Sequence, residues 1–442
     1  MAVASVTHDH LAGQSVAQAA LRFLAVSSVM GGLVFNFLLC FVNTRVMGIR
    51  DSHVMLMELM IIGIGFLVAA DRRAGFYLIL GIFTTYMLFL FTLRGQNDLK
   101  ALRDILIPIV FFAMGSRIAD IRLADKLALW SAVIVLVFAC FEYFFLKVYL
   151  EWFNVLGYYI SRGTVSLADS YGATKGLFIS GNRPEPRSIL PFLGQHRVSS
   201  VFLEPVSMGN FGALIFAWAL FRRGWNGRWF LFVAAIAMTV FADARFGLLT
   251  CVLMAVLSPF FRIIPRTVWL VAPLLILASI GAYGLLTGTH GGDNSFGGRI
   301  ESTAHILSGL PFGVVLGTEM SDSFTADSGM AYTLTKFGLF GFPALWALFV
   351  YQPLRTARAW EFHSIMILYL VLIMVISNSF YSIKTASLMW FMTGTVAAAN
   401  LPRLKSFWDR LAPVPASGPQ RASSASQRVP SAEKSRSAGI RP

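Results

Sequence analysis

Three arginines stand where the sequence breaks out of long apolar runs, and their type and setting suit phosphate chemistry. Arg197 lies in Gln195-His196-Arg197-Val198-Ser199-Ser200-Val201-Phe202-Leu203-Glu204-Pro205. Arg245 lies in Phe241-Ala242-Asp243-Ala244-Arg245-Phe246-Gly247, and Arg299 directly follows Gly297-Gly298. A guanidinium stays charged and offers a planar fork of donors that meets phosphate oxygens two at a time. Three of them could neutralise a pyrophosphate as it leaves, a task that a metal ion performs elsewhere. The competing reading is that arginines at helix ends snorkel toward lipid headgroups. Arg245 fits that reading least, with Asp243 close by in a tight turn, and ionisable groups at membrane depth are functional candidates by default.

Acid–base candidates lie beside them. Glu204 precedes Pro205 at the start of a helix, where the helix dipole favours the anion; the alternative is a structural ion pair, with Arg197 as the nearest cation. A helix from Arg299 to Leu310 would put Glu301, His305 and Ser308 on one face. A carboxylate-oriented histidine can act as a general base, although a plain surface pair has the same spacing. Glu319, Asp322 and Asp327 form an acidic stretch that matches no metal loop. The sequence contains no GxxxxGK[ST], HExxH, DxD or glycine-rich strand–helix fingerprint, which argues against ATP-driven transport, metal-dependent hydrolysis and nucleotide-sugar chemistry. Cys40, Cys140 and Cys251 fall inside apolar runs without spaced partners, so neither a disulfide framework nor a zinc site is expected. No cofactor is expected.

The elements that must position these residues are set by composition. Of 442 residues, 56% are hydrophobic and only 13% charged, against roughly a quarter charged in a soluble domain. A net charge of +14 would suit a nucleic-acid binder, but the basic residues sit in short clusters between apolar runs. A bilayer core of about 30 Å takes about 20 apolar residues per helix. Suitable runs lie near 23–42, 54–70, 75–93, 104–116, 127–147, 203–221, 229–242, 246–261, 267–286, 331–350, 362–380 and 385–400. The expected fold is therefore all-α, a polytopic integral membrane protein of about twelve transmembrane helices within residues 23–400. The polar segment 1–22 lacks a cleavage site, so the first run is expected to be a retained span.

Orientation follows from the basic residues of the short loops. With the N-terminus inside, the inner loops hold twelve Lys and Arg and the short outer loops seven, which places both termini in the cytoplasm. Two long connections, 148–201 and 287–330, then face outward. The basic tail 401–442, rich in Pro, Ala, Ser, Arg and Gln, reads as a largely disordered extension with an affinity for anionic lipids. No internal repeat is evident, whereas a secondary transporter would be expected to show one.

Several local patterns occur in a telling order: Arg197-x-Ser-x-x-Phe-x-Glu-Pro, Ala-Arg245-Phe-Gly, Gly298-Arg299, and Pro311-Phe312-Gly313-Val314-Val315-Leu316-Gly317. After them come Asp327-Ser328-Gly329-Met330-Ala331-Tyr332, Lys336-Phe337-Gly338-Leu339-Phe340-Gly341 and Ser377-Asn378-Ser379-Phe380-Tyr381. Over residues 195–385 this resembles the bacterial polysaccharide polymerase and O-antigen ligase superfamily, especially its Wzy-like exopolysaccharide polymerases. The resemblance implies a GT-C-like membrane glycosyltransferase architecture in the bacterial inner membrane. It also implies a metal-independent transfer between undecaprenyl-pyrophosphate-linked glycans at the periplasmic face. Arg197, Arg245 and Arg299 would hold the donor pyrophosphate, with Tyr332 and Lys336 as further substrate contacts. A chain-length regulator and a flippase would be partners beside the lipid bilayer; nucleic acid would not. Ligases that transfer to lipid A core commonly carry His, often His-Asn, where this chain has Asp327-Ser328. That difference favours a polymerase and leaves Glu204, Asp327 and His305 as rival general bases. A flippase or secondary transporter of lipid-linked sugars, or a structural subunit of an envelope complex, are the readings from other classes.

Overall fold

The computed structural model describes residues 2–71, 74–166, 176–182, 187–288, 290, 296–321, 325 and 328–401, with side chains from Val16 onward except at Phe296. α1 (Ala2–Arg45), α2 (Asp51–Ala69), α3 (Ala74–Arg94), α4 (Leu99–Ile118) and α5 (Ile121–Phe144) follow one another through short turns. α6 (Leu146–Trp152) and α7 (Val155–Ser161) open the first long connection, which closes on a 3-10 turn at Ser200–Phe202. Next come α8 (Pro205–Phe221), α9 (Arg228–Phe241), α10 (Arg245–Leu257) and α11 (Arg266–Thr287). α12 (Phe296–Ser308) and α13 (Phe312–Leu316) lie in the second connection, before α14 (Gly329–Val350), α15 (Ala357–Ile376) and α16 (Ile383–Ala398). Among the described residues there is no strand, only an isolated antiparallel bridge between Asn182 and His196.

Side-chain caps fix several helix starts. Asp98 Oδ1 accepts from Ala101 N at 3.0 Å to open α4, and Asp120 accepts from Arg122 N and Leu123 N to open α5. Ser328 and Thr356 do the same for α14 and α15. Each cap satisfies backbone donors that a helix N-terminus leaves unpaired.

Among the described residues, seven helices are long and apolar enough to cross a membrane: α1 from Val16, α2, α3, α5, α11, α14 and α15. The chain is a polytopic membrane protein. α15 is almost wholly enclosed, whereas α3 and α11 turn most of their surface outward. α8 and α16 are shorter but buried along nearly their whole length. α9 and α10, at 14 and 13 residues, are also short.

α4 departs from the expected run 104–116, beginning at Leu99 and carrying Lys100, Arg103 and Asp104 in its first two turns. Lys100 is exposed, and Arg103 and Asp104 are tolerated because they are paired within the protein. Arg103 bridges Glu58 of α2 and Asp104, and Asp104 also accepts from Tyr332 Oη of α14. Close backbone approach holds the interior helices together. A Cβ on Gly115 of α4 would lie 2.1 Å from Phe391 O of α16, and one on Gly394 would lie 2.0 Å from Phe112 O. Only glycine permits these helices to lie so close.

Two ends of the helix set can be told apart. One bears the long connections and α6, α7, α12 and α13, and is called the loop end here. The other bears the short turns around 70–71, 119–120, 222–227, 258–265 and 351–356 and is called the turn end. α14 is broken at Gly338 (φ 67°, ψ 173°), which packs on the backbone of Leu316 and Gly317. Polar groups of α3 meet the carbonyls at this break. Tyr86 Oη donates to Phe337 O at 2.7 Å, and Arg94 donates to Thr335 O at 3.2 Å and Gly317 O at 2.8 Å.

Candidate functional site

A polar turn, Ser377–Ser382, interrupts the apolar sequence between α15 and α16, and four helices converge on it. Backbone groups within a membrane need partners inside the protein, and this turn finds them in side chains. Thr385 Oγ1 donates to Ser379 O at 2.6 Å, and Ser379 N donates to Ser377 Oγ at 3.1 Å. From α8, Asn210 Nδ2 donates to Ser379 Oγ at 2.7 Å. From α14, Thr333 Oγ1 pairs with Tyr381 Oη at 3.2 Å. Gly329 sits so close that a Cβ would lie 2.4 Å from Ser377 O. From α12, Thr303 Oγ1 donates to Val375 O at 3.1 Å and Arg299 Nη1 to Ile376 O at 3.4 Å.

At the second position of α16, buried Lys384 reaches the start of α8. Its Nζ donates to Phe202 O at 3.0 Å and lies 3.9 Å from Glu204 Oε2. Glu204 is the residue preceding Pro205 of α8, and it also accepts from Ser207 Oγ at 2.8 Å. Its side chain remains about a third exposed (34%). The cation beside Glu204 is therefore Lys384, not the Arg197 suggested by sequence proximity.

The segment leading to Glu204 is strained, with Ser200 (φ 52°) and Leu203 (φ 62°) both left-handed. Non-glycine residues in that region persist only where surroundings hold them. The holder is Glu142 of α5, fully buried, which accepts from Ser199 N, Ser199 Oγ and Ser200 N and contacts His196 Nε2 at 3.0 Å. Sequence reading passed over Glu142 because it stands alone in an aromatic run, Phe141-Glu142-Tyr143-Phe144-Phe145.

The arginines divide by environment. Arg197 is 4% exposed; its Nε donates to Ala242 O at 3.0 Å and its Nη1 to Ser180 O at 3.2 Å. Arg187, also buried, donates to Val240 O and Phe241 O. Burial pushes the Arg187 guanidinium below its ordinary value, with nearby Asp243 acting in the opposite direction. Two guanidiniums thus cap the C-terminal carbonyls of α9, where positive charge complements the helix dipole. The following break is held by Asp243 (φ 46°), whose Oδ1 accepts from Ile189 N at 2.8 Å. Arg245 then opens α10, exposed, with no hydrogen bond or ion pair to the described residues. Arg299 is half-buried on α12.

Of the remaining candidates, Tyr332 places its ring 5.7 Å from that of Tyr381 in the polar turn. Tyr332 is buried with its hydroxyl on Asp104, and Lys336 Nζ donates to Asp98 Oδ2 at 2.7 Å. Burial works to raise the Asp98 carboxyl, but the Lys336 ammonium and the Ala101 amide bring it below the usual carboxylate range. These residues join α4 to α14 in a second polar cluster. His305 is exposed on α12, away from the polar turn's contacts; its backbone carbonyl accepts from Ser308 Oγ at 3.1 Å. Asp327 and Asp322 lie outside the described residues. Among the described residues no three His, Cys, Asp or Glu gather as a metal site.

An apolar cavity of about 400 Å³ runs between α3, α4 and α14. Phe76, Phe112, Phe342, Trp346 and Phe349 line its walls. Asp71 and Arg117 lie at the turn end, and Thr333, Phe380 and Tyr381 at the loop end. It therefore reaches the same polar turn. No protein-family model, curated protein or solved structure matches the chain.

Proposed function

We propose that the chain is a membrane glycosyltransferase that joins undecaprenyl-pyrophosphate-linked oligosaccharide units into a polysaccharide, at the outer face of a bacterial inner membrane. In this reading α4, α8, α9, α10 and α16 also cross, giving twelve crossings, with the loop end outward. The observation that carries it is the aromatic-walled cavity that runs from the turn end to the polar turn at 377–382. A long isoprenoid suits such a cavity. Close to that turn in the chain or by contact lie Lys384 with Glu204, and Arg299, while α8 packs on the start of α10, which Arg245 opens.

The chemistry assigned is a displacement at the anomeric carbon. An acceptor hydroxyl attacks, the bond from that carbon to the pyrophosphate oxygen breaks, and the pyrophosphate lipid departs with the electron pair. Arg245 and Arg299 neutralise the departing charge, which is the largest electrostatic demand of such a reaction. Arg197 acts through the backbone it holds. Glu204 receives the hydroxyl proton, being the one partly exposed carboxylate beside the polar turn among the described residues. A chain-length regulator and a flippase are the partners this role requires.

Loss of the gene should abolish long polymer while single lipid-linked repeats accumulate; polymer of normal length would overturn the assignment. Purified protein should extend lipid-linked repeats in the presence of EDTA, and a strict metal requirement would contradict the proposed displacement. Arg245→Ala and Arg299→Ala should each lower kcat by about 10²–10³. If both variants turn over normally, the pyrophosphate is held elsewhere.

A further inference from the structure

The turn end carries a feature that neither the proposed reaction nor membrane orientation requires. Five arginines from three separate stretches of chain meet at one corner: Arg222 and Arg223 after α8, Arg262 and Arg266 before and at the start of α11, and Arg358 in the first turn of α15. Asp125 of α5 is taken up by Arg222, in two parallel bonds of 2.8 and 2.7 Å. Glu361 is shared by Arg223 at 3.1 Å and Arg262 at 3.2 Å. Arg358, 6% exposed, stands one turn before Glu361, over the Phe221 ring at 5.1 Å, and makes a long bond of 3.5 Å to Phe221 O. Arg222, Arg223 and Arg262 all act on it electrostatically. Arg266 lies over the Trp360 indole at 4.9 Å. Among the described residues, neither Arg266 nor Arg358 forms an ion pair with a carboxylate.

Basic residues scattered through these loops would orient the protein equally well. Convergence is a different matter, because like charges brought together near a low-dielectric boundary repel strongly. A fixed polyvalent or diffuse anion relieves that cost. The neighbouring surface says which kind. Trp229 (63% exposed) and Ile263 (64%) stand exposed on the same turns, an arrangement of aromatic and aliphatic groups suited to the headgroup level of a bilayer. Basic pockets between helices at that level suit anionic headgroups.

We propose that this corner binds the phosphodiester headgroup of an anionic phospholipid, with Arg223, Arg266 and Arg358 facing the phosphate and Trp229 and Ile263 seated among the acyl chains. The site is independent of the glycan chemistry at the other end of the helices.

The test uses the full-length protein in neutral detergent, titrated with phosphatidylglycerol, and reads lipid retained by native mass spectrometry together with the thermal midpoint. Wild-type protein should retain phosphatidylglycerol and gain thermal stability with it. Phosphatidylcholine at the same mole fraction, and inorganic phosphate at the same concentration, should do neither. The double variant R223Q/R266Q, both on partly exposed side chains, should bind phosphatidylglycerol at least tenfold more weakly while retaining its lipid-free midpoint to within a few degrees. Equal retention by wild type and variant would overturn the proposal. So would equal retention of phosphatidylcholine, and stabilisation by inorganic phosphate alone would assign the corner to a soluble anion. R358Q provides a buried counterpart. Where it folds, its lipid binding should fall as well, and unaltered binding would count against the site.

Discussion

Glu142 determines more of the candidate site than any residue visible as a motif. Its carboxylate lies in a fully enclosed position and satisfies two backbone amides of a strained segment. Removing a buried charged acceptor leaves those donors without water or partner, at about 1–3 kcal/mol or more. Glu142→Ala should therefore lower the thermal midpoint and displace Glu204, reducing turnover, whereas Glu142→Gln should recover part of both; circular-dichroism melting and turnover measured side by side would show it. A variant with normal melting and activity would remove Glu142 from this role. At the other cluster, Asp98 makes a pH prediction with a definite sign. Its folded carboxyl titrates below the ordinary value of 3.8, so its contribution to stability is full above about pH 4 and is lost as the pH falls further. Melting followed from pH 6 to 3 should show a drop that Asp98→Asn lacks. The three arginines were visible in the sequence because breaks in hydropathy expose them. Their division of labour was not, since carbonyl partners such as Ala242 O leave no mark in a sequence. Glu142 and Lys384 were missed for the opposite reason: each is a lone charge within or at the edge of an apolar run, without a local pattern.

At the scale of the element, hydropathy located most helices and misjudged those that solve their problems internally. α5, α11 and α15 are apolar enough to be read directly. α4 is not, because its first two turns hold charges whose partners, Glu58 and Tyr332, come from helices about 45 and 230 residues away in sequence. No local window contains that information. The pairing of α4 with α16 was equally hidden, for it depends on two glycines whose meaning appears only when the helices cross. Gly394→Ala should cost about 1–3 kcal/mol by overpacking, because the added methyl would meet the Phe112 carbonyl rather than a yielding side chain. Gly63→Ala, where nothing lies within 4 Å, should be close to neutral; denaturation of both variants in the same detergent gives the comparison. Equal stability of the two would mean that the crossing is looser than described.

At the scale of the molecule, the alternating path assigns every turn to one of two ends, and that assignment can be tested without knowing the reaction. Gly48 and Gly224 are exposed, have open space around them, and belong to the loop end and the turn end respectively. With Cys40, Cys140 and Cys251 replaced, cysteines at positions 48 and 224 should label from opposite sides of sealed vesicles; labelling from one side would overturn the path. The same path gives α3 a duty that its composition conceals. It turns most of its surface to lipid and has little interior packing to hold it, yet it keeps Tyr86 and Arg94 facing inward. Those two side chains bind the carbonyls set loose where α14 breaks at Gly338. α3 is thus a splint: it is strapped on by polar bonds, and it carries the load of a fracture in its neighbour that hydrocarbon would otherwise leave unsupported.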